Sequence, residues 1–275
     1  MNENFISERG IYYRTNDFKE GRPTLVFMHG LSSSSSAWFA YEKIFKDDYN
    51  ILEFDLRGHG ESLKPPRYSD YEIRDSAQDL WLLVEKQSID KFIIVSHSFS
   101  ASIVLEFISQ HKERVAAAIF LSPVFKVERI LWVRAAHFFL GGLASLIRKF
   151  SFPRSRAKHV DYSKYIGKGD WNLGRLSVDI PNTSFHAYLY CLRHIYRFKG
   201  EKYLPELTMP VLIINGDKDT VIPARFIPKM IRQIKDCTHV LLEGANHMIV
   251  INNVPEVAGE IKKFIREKHL DGLEI

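Results

Sequence analysis

The sequence predicts an α/β fold in which a mostly parallel sheet is covered by helices on both faces. Six short segments rich in Val, Ile, Leu and Phe, each bounded by turn residues, predict buried strands at 24–27, 51–54, 92–95, 116–121, 211–214 and 239–242. Helical spacing between and after these segments predicts helices at 76–86, 102–110 and 255–268. This alternation indicates parallel strand pairing, and residues 11–14 predict an antiparallel strand at the edge of the sheet.

The alternation of strands and helices stops after Leu121-Ser122-Pro123 and resumes at Met209-Pro210. A chain of 275 residues suits one large domain or one domain with an insertion, since domains usually have about 100–200 residues. We therefore expect a sheet domain formed by residues 1–123 and 204–275, with a helical insertion at 124–203 between two of its strands.

Composition and the N-terminus favour a globular protein of a reducing compartment. Apolar residues make up 45% and charged residues 26%, values that allow a sizeable core and exclude a disordered chain. Two cysteines, Cys191 and Cys237, are too few for a disulfide framework and predict free thiols. Residues 1–5 show no secretory signal, and the most apolar stretch, 130–147, is interrupted by an arginine, a histidine and two glycines, so no membrane span is predicted. We expect a cytoplasmic protein.

The net charge of +5 is unevenly distributed along the chain. Residues 126–202 contain 15 Lys and Arg against 5 Asp and Glu, a balance of +10, so the remainder carries −5. Two interpretations remain open: a solvated polar face, or attraction toward anionic substrates or lipid head groups. The second predicts weak contact with a membrane surface. No nucleic-acid motif accompanies the charge, and no nucleic-acid partner is predicted.

The segment Ser96-His97-Ser98-Phe99-Ser100 lies between a predicted strand and a predicted helix. A sharp strand-to-helix turn exposes one serine hydroxyl, and it needs small residues two positions before and after that serine. Ser98 meets this requirement through Ser96 and Ser100. Ser96 in the same role would place Ile94 at a small position, and Ser100 lies too far beyond the strand. Ser98 is therefore the predicted nucleophile.

A serine nucleophile needs a base, and the base needs a carboxylate that orients it. Asp217 and Asp219 follow the predicted strand 211–214, and His247 follows the next strand. Open α/β sheets place their sites at the carboxyl ends of the strands, where all of these residues are expected. The order Ser, Asp, His is therefore consistent with a catalytic triad in which either aspartate is the acid.

Five motifs in this order resemble the α/β-hydrolase superfamily, in particular serine carboxylesterases and lipases with a helical cap, and together they span nearly the whole chain. They are His29-Gly30, Asp55-Leu56-Arg57-Gly58-His59-Gly60-Glu61-Ser62, Ser96–Ser100, Gly216-Asp217-Lys218-Asp219 with Pro223, and Asn246-His247. The resemblance implies that Ser98 is the nucleophile, His247 the base and Asp219 the orienting acid, with Asp217 as the alternative acid.

The same resemblance implies an oxyanion hole formed by the backbone N–H groups of Leu31 and Phe99. It assigns His59 and His97 structural roles, and the motif that contains His59 is expected to shape a loop. No cofactor is implied, and no zinc-type ligand spacing is present in the sequence. The family usually has glycine at the positions of Ser96 and Ser100, so this chain departs from the pattern there.

In this superfamily an insertion such as residues 124–203 is a cap that roofs the site and selects the substrate. Its apolar residues either pack the cap against the core or line a pocket for an apolar acyl chain. They are Val124, Phe125, Ile130, Leu131, Trp132, Phe138, Phe139, Leu140, Leu143, Leu146, Ile147 and Phe150, followed by Trp171, Leu173, Phe185, Tyr188, Leu189, Tyr190 and Leu192.

The function predicted from these features is hydrolysis of a small-molecule carboxylic ester with an apolar acyl group, through an acyl-enzyme. The same triad also suits a thioester, an amide, a carbon–carbon bond or acyl transfer, because one fold hosts many chemistries. Superfamily members that open epoxides or displace halides have an aspartate where Ser98 stands, which disfavours those reactions. A ligand-binding receptor that kept the fold is the remaining alternative.

Overall fold

The computed structural model describes residues 1–125 and 159–272. The strands in these ranges are β1 (Asn2–Ile6), β2 (Ile11–Thr15), β3 (Thr24–Met28), β4 (Asn50–Phe54), β5 (Phe92–His97), β6 (Val115–Leu121), β7 (Val211–Gly216) and β8 (Cys237–Leu242). They form one sheet, in the order β1-β2-β4-β3-β5-β6-β7-β8. Both pairings of β2 are antiparallel and the other pairings are parallel, which confirms the predicted α/β fold.

The three helices predicted from the sequence are present as α2, α3 and α8, each beginning one to three residues earlier than predicted. The helices of the described residues are α1 (Phe39–Phe45), α2 (Ile73–Lys86), α3 (Ser100–His111), α4 (Leu173–Thr183), α5 (Phe185–Arg197), α6 (Ile227–Ile231), α7 (Ile249–Asn252) and α8 (Val254–Glu267).

The sheet has an apolar core on each face, which explains why its inner strands read as continuous apolar runs. Successive strand side chains point to opposite faces. In β3, Val26 and Met28 therefore pack in the cluster that contains α2 and α3 residues, whereas Leu25 and Phe27 pack with α1 and α8. All four side chains are fully buried. The two helix layers thus fix the sheet, and with it the ends of the strands.

The two edges of the sheet differ from the sequence prediction. β1 was not predicted, because its polar residues Asn2, Glu3 and Asn4 are exposed and give no apolar pattern. The segment 239–242 was predicted as a buried strand, but β8 is an edge strand with a neighbour on one side only. Leu241 is 51% exposed there. The prediction of full burial was therefore wrong for β8.

The described part of the predicted insertion, residues 159–203, contains α4, α5 and short 3₁₀ turns, and these residues form no strand. Val124 and Phe125, just after β6, are buried. The apolar residues expected between 130 and 150 lie outside the described residues. The helical part that is described packs against the sheet domain, since Tyr190 contacts the rings of Tyr68 and Tyr71.

Among the described residues, no helix has both the length and the apolar character needed to cross a membrane. Cys191 and Cys237 are free thiols, as predicted. Burial raises the pKa of the Cys191 thiol to about 12 and that of Cys237 to about 11, so both remain protonated at neutral pH.

A buried carboxylate on α2 holds two loops of the N-terminal half. Asp79 accepts two hydrogen bonds from Arg57, both 2.7 Å long, and a third from Nε of Arg9 at 2.8 Å. The side chain of Asp79 is 1% exposed and that of Arg57 is 9% exposed. Arg57 belongs to the motif between β4 and α2, so the bidentate pair fixes this motif against the helix.

We expect Asp79→Ala to lower the free energy of unfolding by about 3–5 kcal/mol, because it leaves the Arg57 guanidinium buried without its partner. Urea denaturation followed by circular dichroism measures this difference. Asp90→Ala is the matched control, since Asp90 is 87% exposed and lies 3.9 Å from Arg114. A loss below about 1 kcal/mol in both variants would contradict the structural role of the pair.

Candidate active site

The turn between β5 and α3 places Ser98 at the carboxyl edge of the sheet. Its φ of 53° lies in the left-handed region, which a non-glycine residue adopts only at a cost of about 1–3 kcal/mol. Three backbone bonds of Ser98 hold the turn: its N–H donates to Leu121 at 2.9 Å, and its carbonyl accepts from Val124 at 3.1 Å and from Ala101 at 3.2 Å. Ser98 is 7% exposed. The predicted strand-to-helix turn is therefore present at this serine.

The serines on either side of the turn differ in their contacts. The Ser100 hydroxyl accepts the backbone N–H of His97 at 3.0 Å and lies 2.9 Å from the carbonyls of Met28 and His97, to either of which it donates. It thereby joins the ends of β3 and β5. The Ser96 hydroxyl is fully buried and has no hydrogen-bond partner among the described residues. The side chain that replaces the usual glycine at position 100 thus stabilises the turn.

The three residues predicted to form a triad are joined by hydrogen bonds. Nε2 of His247 lies 2.9 Å from Oγ of Ser98, and Nδ1 of His247 lies 2.8 Å from Oδ2 of Asp219. All three side chains are buried. The carboxylate accepts the Nδ1 proton, so Nε2 is the acceptor for the serine hydroxyl. This arrangement can move a proton from Ser98 to His247.

The environment of Asp219 favours its ionised form. Burial alone raises the pKa of this carboxyl, but the hydrogen bond and charge of His247 and the N–H of Ile222 outweigh burial and lower it below its usual value. Oδ1 accepts the backbone N–H groups of Val221 and Ile222, at 2.9 and 2.6 Å. Asp217, the alternative acid, instead accepts the N–H of Gly244 at 2.7 Å. The geometry therefore selects Asp219 as the partner of His247.

The loop after β3 brings the backbone of Gly30 against the turn. A Cβ at this position would lie 2.8 Å from Nδ1 of His97 and 3.4 Å from Cβ of Ser98, so a side chain has no room there. The Gly30 carbonyl is held by Nδ1 of His29 at 2.8 Å, and Nε2 of His29 accepts the N–H of Leu56 at 3.0 Å.

These bonds fix the peptide that carries the N–H of Leu31. In a trans peptide the N–H points away from the carbonyl. Within the described residues, neither this N–H nor that of Phe99 has a hydrogen-bond acceptor. Both predicted oxyanion donors are therefore without an acceptor among these residues. Phe99 directly follows Ser98, and Gly30, which precedes Leu31, packs against Ser98.

The two histidines expected to be structural lie in different places. His97 donates from Nε2 to the carbonyl of His247 at 3.0 Å, and the two rings are 5.1 Å apart. Burial, and then the neighbouring His247, lowers the pKa of His97 to about 3. His59 packs against the ring of His29, and burial lowers its pKa well below the usual value. Both rings are therefore neutral at physiological pH.

One residue at the site was missed by the sequence reasoning. Asp170, in the insertion, accepts the backbone N–H of His247 at 2.8 Å through Oδ1 and binds Thr220 through Oδ2. No motif surrounds it, and its partners are 77 and 50 residues away, so the sequence contains no local signal for these contacts. Among the described residues, no group of three His, Cys, Asp or Glu side chains is arranged to hold a metal ion.

Comparison with known proteins places the chain in a family. A family model for the alpha/beta hydrolase fold matches residues 23–254. The chain therefore belongs to the α/β-hydrolase family, which confirms the resemblance found in the sequence. Epoxide hydrolase 1 of Caenorhabditis elegans is 24% identical over 267 residues, which cover 90% of this chain and 66% of that protein.

Solved structures share the fold over nearly their full length. A thermophilic esterase from Thermogutta terrifontis superposes with a TM-score of 0.74 at 19% identity, over 94% of both chains. An enol-lactonase from Burkholderia xenovorans LB400 gives a TM-score of 0.74 at 17% identity, over 96% of this chain and 100% of that one. At these identities the likeness shows the fold alone.

We expect the free energy of unfolding of His97→Gln to fall less steeply at acidic pH than that of the wild-type protein. The unfolded chain binds a proton at this residue below about pH 6.5, whereas folded His97 stays neutral down to about pH 3. The folded state therefore loses about 1.4 kcal/mol of stability per pH unit from this residue as the pH falls through that window. Urea denaturation between pH 4 and pH 7 measures the free energy of unfolding at each pH. The slope of this free energy against pH should be smaller by this amount in His97→Gln.

His269→Gln, whose ring is exposed, is the control for that comparison. The buried residues His29 and His59 contribute to the slope in both proteins, because burial lowers the pKa of each. An unchanged slope in His97→Gln would show that His97 takes up its proton before the protein unfolds.

Proposed function

We propose that this chain is a serine hydrolase that cleaves carboxylic esters through an acyl-enzyme intermediate. The observation that carries the proposal is the chain of hydrogen bonds from Ser98 to His247 and from His247 to Asp219, 2.9 and 2.8 Å long. A serine hydroxyl is activated when a positioned imidazole accepts its proton. The tight turn after β5, where α/β-hydrolases have their nucleophile, supports the assignment.

In the first half of the reaction Oγ of Ser98 attacks the ester carbonyl while Nε2 of His247 takes the hydroxyl proton. The carbonyl oxygen becomes an oxyanion, which the N–H groups of Leu31 and Phe99 stabilise. Asp219 stabilises the imidazolium. The tetrahedral intermediate then breaks its bond to the alcohol oxygen, which leaves with the proton from His247, and the acyl group remains on Ser98.

In the second half a water molecule attacks the acyl carbonyl, and His247 takes a proton from that water. The same two N–H groups stabilise the new oxyanion. Its collapse breaks the bond to Oγ of Ser98, which recovers the proton from His247. The products are a carboxylic acid and the alcohol released earlier, and the enzyme returns to its initial state.

The nucleophile disfavours epoxide opening. Ser98 stands where epoxide-opening members of the superfamily have an aspartate, so the resemblance disfavours the activity named for the Caenorhabditis elegans relative. Thioester, amide or carbon–carbon cleavage and acyl transfer use the same nucleophile, and substrate assays distinguish them.

We expect Ser98→Ala to lower kcat for p-nitrophenyl acetate or butyrate on the order of 10⁶-fold, as removal of a triad nucleophile does. Ser109→Ala is the control, because Ser109 is an exposed serine on α3 whose hydroxyl donates to the carbonyl of Glu106 in its own helix. A fluorophosphonate, which phosphonylates activated serines whatever their natural substrate, should label wild type and the control but not Ser98→Ala.

The outcomes of that assay separate the alternatives. Labelling of Ser98 without turnover of any ester would indicate another scissile bond for the same nucleophile. Equal turnover in wild type and Ser98→Ala would exclude Ser98 as the nucleophile. Saturable binding of an ester with neither labelling nor turnover would indicate a ligand-binding protein.

The acyl group is proposed to be apolar because apolar residues are frequent in the insertion. Among the described ones, Leu189 and Tyr190 are buried, whereas Trp171 and Leu173 are 64% and 80% exposed. Trp171 lies next to the site, since its Nε1 donates to the Thr220 hydroxyl at 3.1 Å. An exposed apolar side chain such as that of Trp171, so close to the site, suits contact with an apolar ligand.

We therefore expect kcat/KM to depend on acyl chain length, with a clear optimum across the p-nitrophenyl esters of butyrate, octanoate and laurate. Each added CH₂ that is buried contributes about 0.8 kcal/mol until the pocket is filled. Rates measured with the Ser98→Ala protein supply the background. Equal kcat/KM values across the series would exclude an acyl pocket formed by the insertion.

A further inference from the structure

Asp170 belongs to the insertion between β6 and β7, yet its carboxylate lies against the loops that follow β7 and β8. The residue is 7% exposed, and both of its oxygens are hydrogen-bonded. Oδ1 accepts the backbone N–H of His247 at 2.8 Å. Oδ2 accepts the backbone N–H and the hydroxyl of Thr220, at 2.9 and 2.6 Å. One side chain therefore bridges two loops that follow different strands.

One of the two bridged residues belongs to the proposed triad, and the other is next to a triad residue in the chain. Thr220 directly follows Asp219, and His247 is the proposed base. The carbonyl of His247 is bound by Nε2 of His97 at 3.0 Å, so the main chain of the base is held on both sides. The hydrogen bond between Asp219 and His247 is made to the ring of His247 and not to its main chain. Asp170 thus contributes to the position of the main chain from which the ring projects.

A buried ion pair on α4 holds Asp170 in place. Nη2 of Arg175 donates to the backbone carbonyl of Asp170 at 2.7 Å, and Nη1 donates to Oδ2 of Asp179 at 2.6 Å. Arg175 is 6% exposed and Asp179 is fully buried. Loss of either partner would leave a buried charge without compensation, so the pair strongly favours this arrangement.

The same network reaches the opposite side of the site. The hydroxyl of Tyr162 donates to Oδ1 of Asp179 at 3.0 Å and lies 3.1 Å from the hydroxyl of Ser33. Ser33 is two residues beyond Leu31, the proposed oxyanion donor. Hydrogen bonds therefore connect the loop after β3 to His247 through the insertion. The insertion contacts both the proposed base and the loop of the proposed oxyanion hole.

We propose that Asp170 is a positioning residue. It holds the loop after β7, which carries Asp219, and the loop after β8, which carries His247, at the separation that lets Nε2 of His247 reach Oγ of Ser98. This inference rests on the proposed function, because it assigns Asp170 a role in the same reaction. A displacement of about 1 Å at a reacting group costs about 10²-fold in rate, so a residue that never touches the substrate has a large effect on turnover.

The test measures the second-order rate constant for phosphonylation of Ser98 by a fluorophosphonate. We expect Asp170→Ala to react about 10²-fold more slowly than wild type, because the N–H groups of His247 and Thr220 lose their acceptor. Asp170→Asn keeps one carbonyl oxygen for His247 but turns its NH₂ group toward Thr220, and it should recover part of the rate. With an ester substrate, kcat should fall while KM stays near its wild-type value.

Asp161→Asn is the matched control, since Asp161 is an exposed carboxylate of the same insertion that accepts the N–H of Ser163 at 3.2 Å. It should react at the wild-type rate. Urea denaturation establishes that each variant is folded under the conditions of the assay. Equal slowing in Asp161→Asn, or a wild-type rate in Asp170→Ala, would overturn the proposal.

A second measurement does not depend on the reaction. The Nδ1 proton that His247 shares with Asp219 gives a downfield ¹H resonance, assigned by its loss in His247→Gln. Asp170→Ala should shift or broaden this resonance, and Asp161→Asn should leave it unchanged. If wild-type Ser98 is not phosphonylated, the proposed function fails, and the resonance alone decides whether Asp170 positions His247. An unchanged resonance in Asp170→Ala overturns the positioning role.

Discussion

The carboxyl ends of β5, β7 and β8 lie at the same edge of the parallel part of the sheet, and every other feature of the site depends on that alignment. Ser98 follows the first of these strands, Asp219 the second and His247 the third. The serine and the histidine are 149 residues apart in the chain, yet their side-chain atoms lie 2.9 Å apart. Apolar packing on both faces of the sheet fixes the strands, so residues far from the site help to set this distance.

Much of the fold was predictable because burial on both faces leaves a strong pattern in the inner strands. The pattern fails at the edges. β1 consists mainly of exposed polar residues and is defined by its pairing with β2, which no local signal reveals. β8 has an apolar composition but only one neighbouring strand. Its composition therefore predicted full burial, whereas its residues are partly exposed.

The residues of the site likewise divide into those that sequence motifs predicted and those that they did not. The proposed triad residues and the two proposed oxyanion donors each belong to a motif at a strand end. In the structure, hydrogen bonds join Ser98, His247 and Asp219. Asp170, Ser100 and His97 bind mainly backbone groups, and any residue type can supply a backbone group. The sequence predicted that Ser100 is a small residue of the turn and that His97 is structural, but it did not reveal their hydrogen bonds. Asp170 was missed altogether, because sequence patterns do not reveal side chains whose partners are peptide groups.

His97 immediately precedes Ser98 and also binds the carbonyl of His247. The end of β5 therefore carries both the serine and a hydrogen bond to the histidine. The serine and the main chain of the histidine are thus joined through a single side chain. The distance between Oγ of Ser98 and Nε2 of His247 depends on the conformation of His97 as well as on the packing of the sheet.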